Sequence, residues 1–325
     1  MPDQIKKPIL PGMRAKTLNF NKVLKLTKRY MHRRGQALIK YLYPLKTKRG
    51  RPRKYNDEII LTLLFLQVAW KLSFRELEFM SVQVFGRETT PDFSTYYYRL
   101  KKLPPYLLID FLNFISRRLL GKYHREVKFL VIDGTGFKYD ELYPLKILRG
   151  IEIKKVKSHV KTVVLSVHLE NGKRFVLTVS PEQSYASEVK AGERIIRWLG
   201  RRGFILNVLR GKPLLGDKAY DSVKFIELLE NVGLEPYIKV KETFRKGIKS
   251  EVRLRAKQLI ESNSLYRFRW LIEGIFGEIK QDVGSYERTK SFHIAQLFVL
   301  AKFCLFNLWV LLFVLWIFQT ASANP

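Results

Sequence analysis

The chain has 325 residues, with 60 Lys and Arg against 29 Asp and Glu, a formal net charge of +31. Hydrophobic residues make up 46 %, which excludes a disordered basic tail and implies one large or two ordinary folded domains. The single cysteine, Cys304, excludes an intramolecular disulfide framework and a cysteine zinc cluster and suits a reducing compartment; the charge asks for a polyanionic partner, nucleic acid being the commonest.

Residues 1–54 hold 17 Lys and Arg and one acid, Asp3. No secretory signal is expected here, because Pro8, Pro11 and lysines interrupt the first apolar residues. The stretch reads as a basic arm ending in Lys48-Arg49-Gly50-Arg51-Pro52-Arg53-Lys54. Pro52 holds Arg51 extended, so Arg49, Arg51 and Arg53 suit the minor groove of A·T-rich DNA, or else form a solvated linker.

A helical block follows over 55–122. Ile59, Ile60, Leu63, Leu64 and Val68 make a helical stripe, and Ser73 with Glu76 reads as a capping box. Asp92 or its neighbours would cap a third helix bearing Tyr96, Tyr97, Tyr98, Arg99, Lys101 and Lys102. Three short helices, the last basic and aromatic, suit a helix-turn-helix DNA reader with Arg99, Lys101 and Lys102 as contacts; an ordinary bundle with a wet basic face has the same pattern.

After Gly121 the period changes. Strands are predicted over 127–132, 161–169, 174–179, 213–216 and 236–240, with Asn171-Gly172 as a hairpin turn. Helices are predicted over 187–199, 222–230, 265–283 and 294–318, and 241–263 reads as charged and irregular. The order β β β α β α β α α predicts an α/β fold, a mixed five-stranded sheet with flanking helices over 123–318, leaving 319–325 as a tail. From Phe303 to Phe318 only Asn307 is polar. Those residues rise about 24 Å as a helix, short of the ~30 Å hydrocarbon core, so a buried helix is expected over a membrane span.

The candidate chemistry lies in the acids. Asp133 follows the first strand and Asp217 the fourth, and sites in open α/β sheets gather beyond strand carboxyl ends. A third acid, Glu273, sits on the late helix. Three convergent carboxylates repel unless a hard divalent cation such as Mg²⁺ sits among them, and two such ions would clamp the attacking and leaving oxygens of a phosphodiester. The five histidines are scattered without metal-ligand spacing, and there is no phosphate-binding glycine loop.

Tyr266, Arg269, Glu273 and Lys280 follow the pattern Y-x2-R-x3-E-x6-K. Their steps of three, four and seven place them on one helical face. With Ile132-Asp133-Gly134-Thr135 and Gly216-Asp217-Lys218-Ala219-Tyr220-Asp221, this chain resembles the DDE transposases of bacterial and archaeal insertion sequences, in the signature group that includes families four and five. The segments 50–55, 72–77 and 92–95 are similar to the N-terminal domain of family five. The resemblance implies an RNase H-like fold, with Asp133, Asp217 and Glu273 as catalytic metal ligands and Tyr266, Arg269 and Lys280 as DNA contacts. It implies two Mg²⁺ ions, with Mn²⁺ as a possible substitute, hydrolysis at transposon ends, strand transfer into target DNA, and a homodimer. A cytoplasmic, nucleoid-associated location is expected. The alternative is a DNA-binding descendant that has lost cleavage.

Overall fold

The computed structural model describes residues 17–42, 54–146, 153–242 and 247–321. Helix α1 (Phe20–Tyr30) passes through a π turn (Met31–Gly35) into α2 (Gln36–Leu42). The segment read as a basic arm is therefore helical over these residues. The reason is an apolar stripe hidden among the cations: Phe20, Val23, Leu26 and Tyr30 recur at helical spacing and are all buried. The Tyr30 hydroxyl donates to Asp110 Oδ2 at 3.1 Å, and Arg34 pairs with Asp110 at 2.8 Å. These contacts fasten α1 and the π turn to a helix 80 residues away in sequence.

Helices α3 (Asp57–Trp70), α4 (Phe74–Phe85), α5 (Phe93–Lys101) and α6 (Pro105–Tyr123) follow. Their starts are chemically specified. Ser73 N donates to Glu76 Oε2 at 2.7 Å and Glu76 N to Ser73 Oγ at 3.3 Å, closing the predicted capping box. Asp92 accepts from Ser94 N and Thr95 N at the head of α5, and these bonds with the Ser94 and Thr95 hydroxyls hold its carboxyl well below the usual range.

The sheet opens with β1 (Val127–Lys146) and β2 (Ile153–Leu169), a longer antiparallel pair than the sequence suggested. Strand β3 (Arg174–Glu182) returns through the Asn171-Gly172 turn, where Gly172 takes φ of 77°. Then come α7 (Glu188–Gly200), α8 (Gly203–Leu209), β4 (Pro213–Gly216), α9 (Val223–Asn231) and β5 (Glu235–Ile238). The interval read as irregular contains α10 (Glu251–Ser262). The expected single helix over 265–283 is a 3₁₀ segment (Ser264–Trp270) continued by α11 (Leu271–Val283). A two-residue strand β6 (Tyr286–Glu287) and the long α12 (Phe292–Ala321) complete the described chain.

The strand order is β3-β2-β1-β4-β5, with β6 on the far part of β1. Pairs β1/β2 and β2/β3 are antiparallel, and β1/β4 and β4/β5 are parallel, the mixed pattern that the element order predicted. Both faces are covered. On one side of β1, Ile132 lies where α7 crosses at Gly192; on the other, Phe137 meets Phe303 of α12 edge-on at 5.9 Å.

Over Phe292–Leu312, α12 is long and apolar enough to cross a membrane, yet it is mostly buried in the protein. Its two polar side chains near the centre have partners in the fold. Asn307 accepts from Val176 N at 2.9 Å and donates to Val176 O at 2.7 Å. Lys302 donates to Gly284 O at 2.6 Å and forms an ion pair with Glu287. This described part is a core helix rather than a lipid-facing one.

His168 stacks on Phe129 and sits 3.0 Å from Ser166 Oγ; burial pushes its pKa down to about 3. Between pH 6.5 and 3 the unfolded chain binds a proton there that the folded chain refuses. Stability therefore falls as pH drops below 6.5, by up to about 1.4 kcal/mol per pH unit. His168→Asn is expected to flatten that acid limb in denaturant titrations between pH 6.5 and 4; an unchanged limb would show that other groups set it.

Candidate active site

Parallel pairing of β1 with β4 sets the site. Its last paired residues are Ile132 and Gly216, so the next residue of each strand, Asp133 and Asp217, stands beside the other across the ~4.8 Å strand spacing. Asp133 thus lies inside β1 rather than at its end, but at the end of its parallel ladder. Gly216 allows this close approach: a Cβ there would meet Ile238 Cδ1 at 2.7 Å and Ile132 Cγ2 at 3.2 Å.

Asp133 is largely enclosed. It accepts from Gly134 N at 2.8 Å and from Arg269 at 2.7 Å. Burial raises its pKa; the Gly134 bond and Arg269 oppose this, while Asp217 and Glu188 add to it. Asp217 accepts from Lys218 N at 2.6 Å and caps the short turn Lys218–Tyr220. Arg269 also reaches Glu273, Nη2 to Oε1 at 3.4 Å, and Glu273 projects into solvent with its side chain 62 % exposed.

The pattern residues keep one side for a reason slightly different from the predicted one. Tyr266 and Arg269 lie in the 3₁₀ segment, where residues three apart eclipse, and Glu273 lies one α-turn further. Tyr266 is half-buried, and burial raises its pKa, with Arg269 opposing and both aspartates adding. Lys280 lies two turns beyond Glu273, its Nζ 5.5 Å from the Phe137 ring centre, and partial burial lowers its pKa. The structure therefore brings Asp133, Asp217, Tyr266, Arg269 and Glu273 together and leaves Lys280 at the margin.

The donor set is carboxylate oxygen, which suits a hard divalent cation. The Tyr220 hydroxyl is buried near Asp133, Glu188 and Asp217 without a hydrogen-bond partner among the described residues. The donors fit a cation in kind and charge. Among the described residues, however, no three carboxylate, imidazole or thiol groups form a ready cage, and Arg269 stands between Asp133 and Glu273.

The family model for the transposase DDE domain matches residues 126–308, the segment that carries every one of these side chains. The chain belongs to this DDE transposase family. An uncharacterized protein of Aquifex aeolicus (strain VF5) is 34 % identical over 269 residues, 82 % of this transposase and 80 % of that protein. Among solved structures, a piggyBac transposase synaptic complex with hairpin DNA aligns over 94 % of this chain and 76 % of its own, at 14 % identity and a TM-score of 0.40. A pre-cleavage Mos1 transpososome aligns over 89 % and 97 %, at 10 % identity and a TM-score of 0.23.

Sequence reasoning missed Glu188 in this transposase. Its carboxylate covers Gly134, where any Cβ would stand 3.2 Å from Glu188 Cδ, and it pairs with Lys161 at 3.1 Å. Its only sequence signal was the Ser187 cap before it. The Asp221 of the second motif is a structural brace: Arg253 donates to it through Nε at 2.8 Å and Nη2 at 2.6 Å, tying α10 to the segment that follows Asp217.

The expected N-terminal DNA contacts divide. Arg49, Arg51 and Arg53 lie outside the described residues. Arg99 is a correction: it turns inward, donating to Tyr55 O at 2.7 Å and pairing with Asp57, with its side chain only 11 % exposed. An arginine so engaged braces α5 against the start of α3 and is not free for phosphate. Lys101 and Lys102 remain exposed, 4.5 Å and 4.0 Å from the Tyr97 and Tyr98 ring centres.

Proposed function

We propose that this transposase cuts the ends of an insertion sequence and joins them to target DNA with Asp133, Asp217 and Glu273 as its metal-holding carboxylates. The observation that carries the reading is the strand register that sets Asp133 beside Asp217, with Arg269 bridging from Asp133 to Glu273. The mixed sheet with flanking helices agrees with an RNase H-like fold, and the Tyr266–Lys280 spacing with the signature group of families four and five. Mg²⁺ is the natural occupant, two ions in the reacting complex, with Mn²⁺ able to replace it. When bound, such ions activate the attacking oxygen and stabilise the leaving one.

The chain's own residues do the rest. Burial makes the negative charge of Asp133 costly in the free protein, a cost that a cation held there would offset. Arg269 pairs with Asp133 and Glu273 in the free protein, offsetting part of their charge, and an incoming phosphate offers its guanidinium a bidentate alternative. Tyr266 and Lys280 flank that phosphate, while the exposed Lys101 and Lys102 and the cations of residues 1–54 hold DNA further out. In this reading residues 55–122 recognise the ends and 123–318 catalyse; the tail expected from 319 begins inside α12, which runs to Ala321. The enzyme works as a homodimer on two ends, in the nucleoid of the cytoplasm.

The test is DNA from the flanks of this gene incubated with the protein and Mg²⁺, with and without EDTA. Discrete cuts that leave 3′-hydroxyl ends and vanish with EDTA are the expected result. End binding without cutting would instead mark a catalytically silent DNA-binding descendant.

A further inference from the structure

The carboxylates read as metal-holding are engaged by a cation of the protein's own. Arg269 pairs with Asp133 at 2.7 Å and with Glu273 at 3.4 Å, joining β1 to α11. Among the described residues no other side-chain cation pairs with either carboxylate. Each Asp133 oxygen is in use: Oδ1 accepts from Gly134 N, and Oδ2 accepts from Arg269 Nη1. Burial opposes the Arg269 charge, but Asp133, Tyr266, Asp217 and Glu273 together outweigh burial and raise its pKa. One guanidinium is thus served by all three acids. It is not sealed in. The Arg269 side chain is 22 % exposed, against 18 % for Asp133, and Glu273 faces solvent, so a phosphate arriving from outside reaches the guanidinium.

A guanidinium and a divalent ion on the same oxygens repel each other strongly in a partly buried site. A hard ion also needs carboxylate lone pairs aimed at itself rather than at N–H groups. The two cations therefore compete for Asp133 and Glu273. DNA changes the balance, because the guanidinium fork matches two phosphate oxygens as well as it matches a carboxylate. We propose that Arg269 is a lock on the metal site: in the free protein it keeps the divalent ion out, and the phosphate of a bound DNA end draws it away and lets the ion load. The inference rests on the reading of Asp133, Asp217 and Glu273 as metal-holding carboxylates. It makes the ion and the DNA favour each other, by the same factor in both directions. A protein so built stays inactive until an end is in place.

The probe is Mn²⁺, followed by the loss of its free-ion electron paramagnetic resonance signal, in the full chain without DNA. Wild type is compared with Arg269→Gln, Arg269→Lys and Arg269→Gln/Asp133→Asn. Arg269→Gln is expected to bind Mn²⁺ roughly tenfold or more tightly than wild type, within the usual range of a coupling between two sites. Arg269→Lys keeps the charge and should stay close to wild type. Asp133→Asn should abolish the gain of Arg269→Gln, which places the ion at the carboxylates. A residue that only contacts DNA, or only braces the fold, would not raise metal affinity in the absence of DNA. Equal Mn²⁺ affinity of wild type and Arg269→Gln overturns the lock. A wild-type measurement stands beside it in case Arg269→Gln loses its melting transition: phenylglyoxal labelling of Arg269, read by peptide mass. Saturating Mn²⁺ should expel the guanidinium and speed that labelling; an unchanged rate also overturns the lock. Failure of the underlying reading looks different. With DNA added, wild type would then hold no more Mn²⁺ than Asp133→Asn on the same DNA, whereas an excess means that the carboxylate site stands even where the lock falls.

Discussion

Asp133→Asn is expected to cut the rate of DNA cleavage by at least ~10³-fold, roughly 4 kcal/mol of transition-state stabilisation, while leaving DNA affinity within a fewfold of wild type. The substitution is isosteric, so it removes charge and keeps shape. Asp133 already carries its charge at a disadvantage, through burial and the proximity of Asp217 and Glu188. Losing that charge does not strain the fold, and thermal stability should hold or rise slightly. A carboxamide, however, is a poor ligand for a hard cation. The basic surface is untouched, so binding should persist with its steep salt dependence. Cleavage within tenfold of wild type would remove Asp133 from the mechanism. The paired readout matters: loss of cutting together with loss of binding would indicate damage to the fold instead.

The second large effect lies away from the chemistry. Lys302→Met is expected to destabilise the protein by ~3–5 kcal/mol, the cost of leaving a buried carboxylate without its counter-charge. The Lys302 and Glu287 side chains are 1 % and 7 % exposed. Burial raises the Glu287 pKa against the pull of Lys302 and lowers that of Lys302 against the pull of Glu287. The pair joins α12 to β6, and the Lys302 bond to Gly284 O fixes the end of α11, the helix that carries Glu273 and Lys280. Replacing both partners with Met and Leu should recover most of the loss, because an apolar pair of similar volume carries no desolvation cost. Denaturant unfolding of the two variants measures this directly; a single-variant loss below ~1 kcal/mol would mean that water reaches the pair.

What could be read from residues alone was whatever local chemistry determines. The Ser73–Glu76 box, the Asp92 cap, the Asn171-Gly172 turn and the change from antiparallel to parallel strands were legible because each depends on neighbours in sequence. The two aspartates were legible as strand-end acids, but their adjacency depends on the Ile132–Gly216 register, which spans 84 residues. Helix α1 was hidden because its cations dominate the composition while its apolar stripe is narrow. Arg99 looked like a surface cation because its partner, Asp57, lies 42 residues away. Glu188 was invisible as a site residue because only the folded α7 carries it to Gly134. The greasy run after Phe303 posed a real ambiguity, since length and hydropathy describe a core helix and a membrane span alike; as far as Leu312, Asn307 and Lys302, with their partners on β3 and β6, distinguish them.

The Glu273 carboxylate is the part of the arrangement that the free protein leaves open, turned to solvent and, among the described residues, tethered only by Arg269. Its removal therefore disturbs the free protein least and tests the metal-holding role most cleanly. The deciding measurement is a single-turnover cleavage and strand-transfer assay on DNA from the flanks of this gene, with Mg²⁺, comparing wild type with Glu273→Gln at equal end occupancy. Discrete cutting and joining by wild type, with both lost in Glu273→Gln, is the predicted result. Cutting by Glu273→Gln at the wild-type rate would contradict the three-carboxylate account.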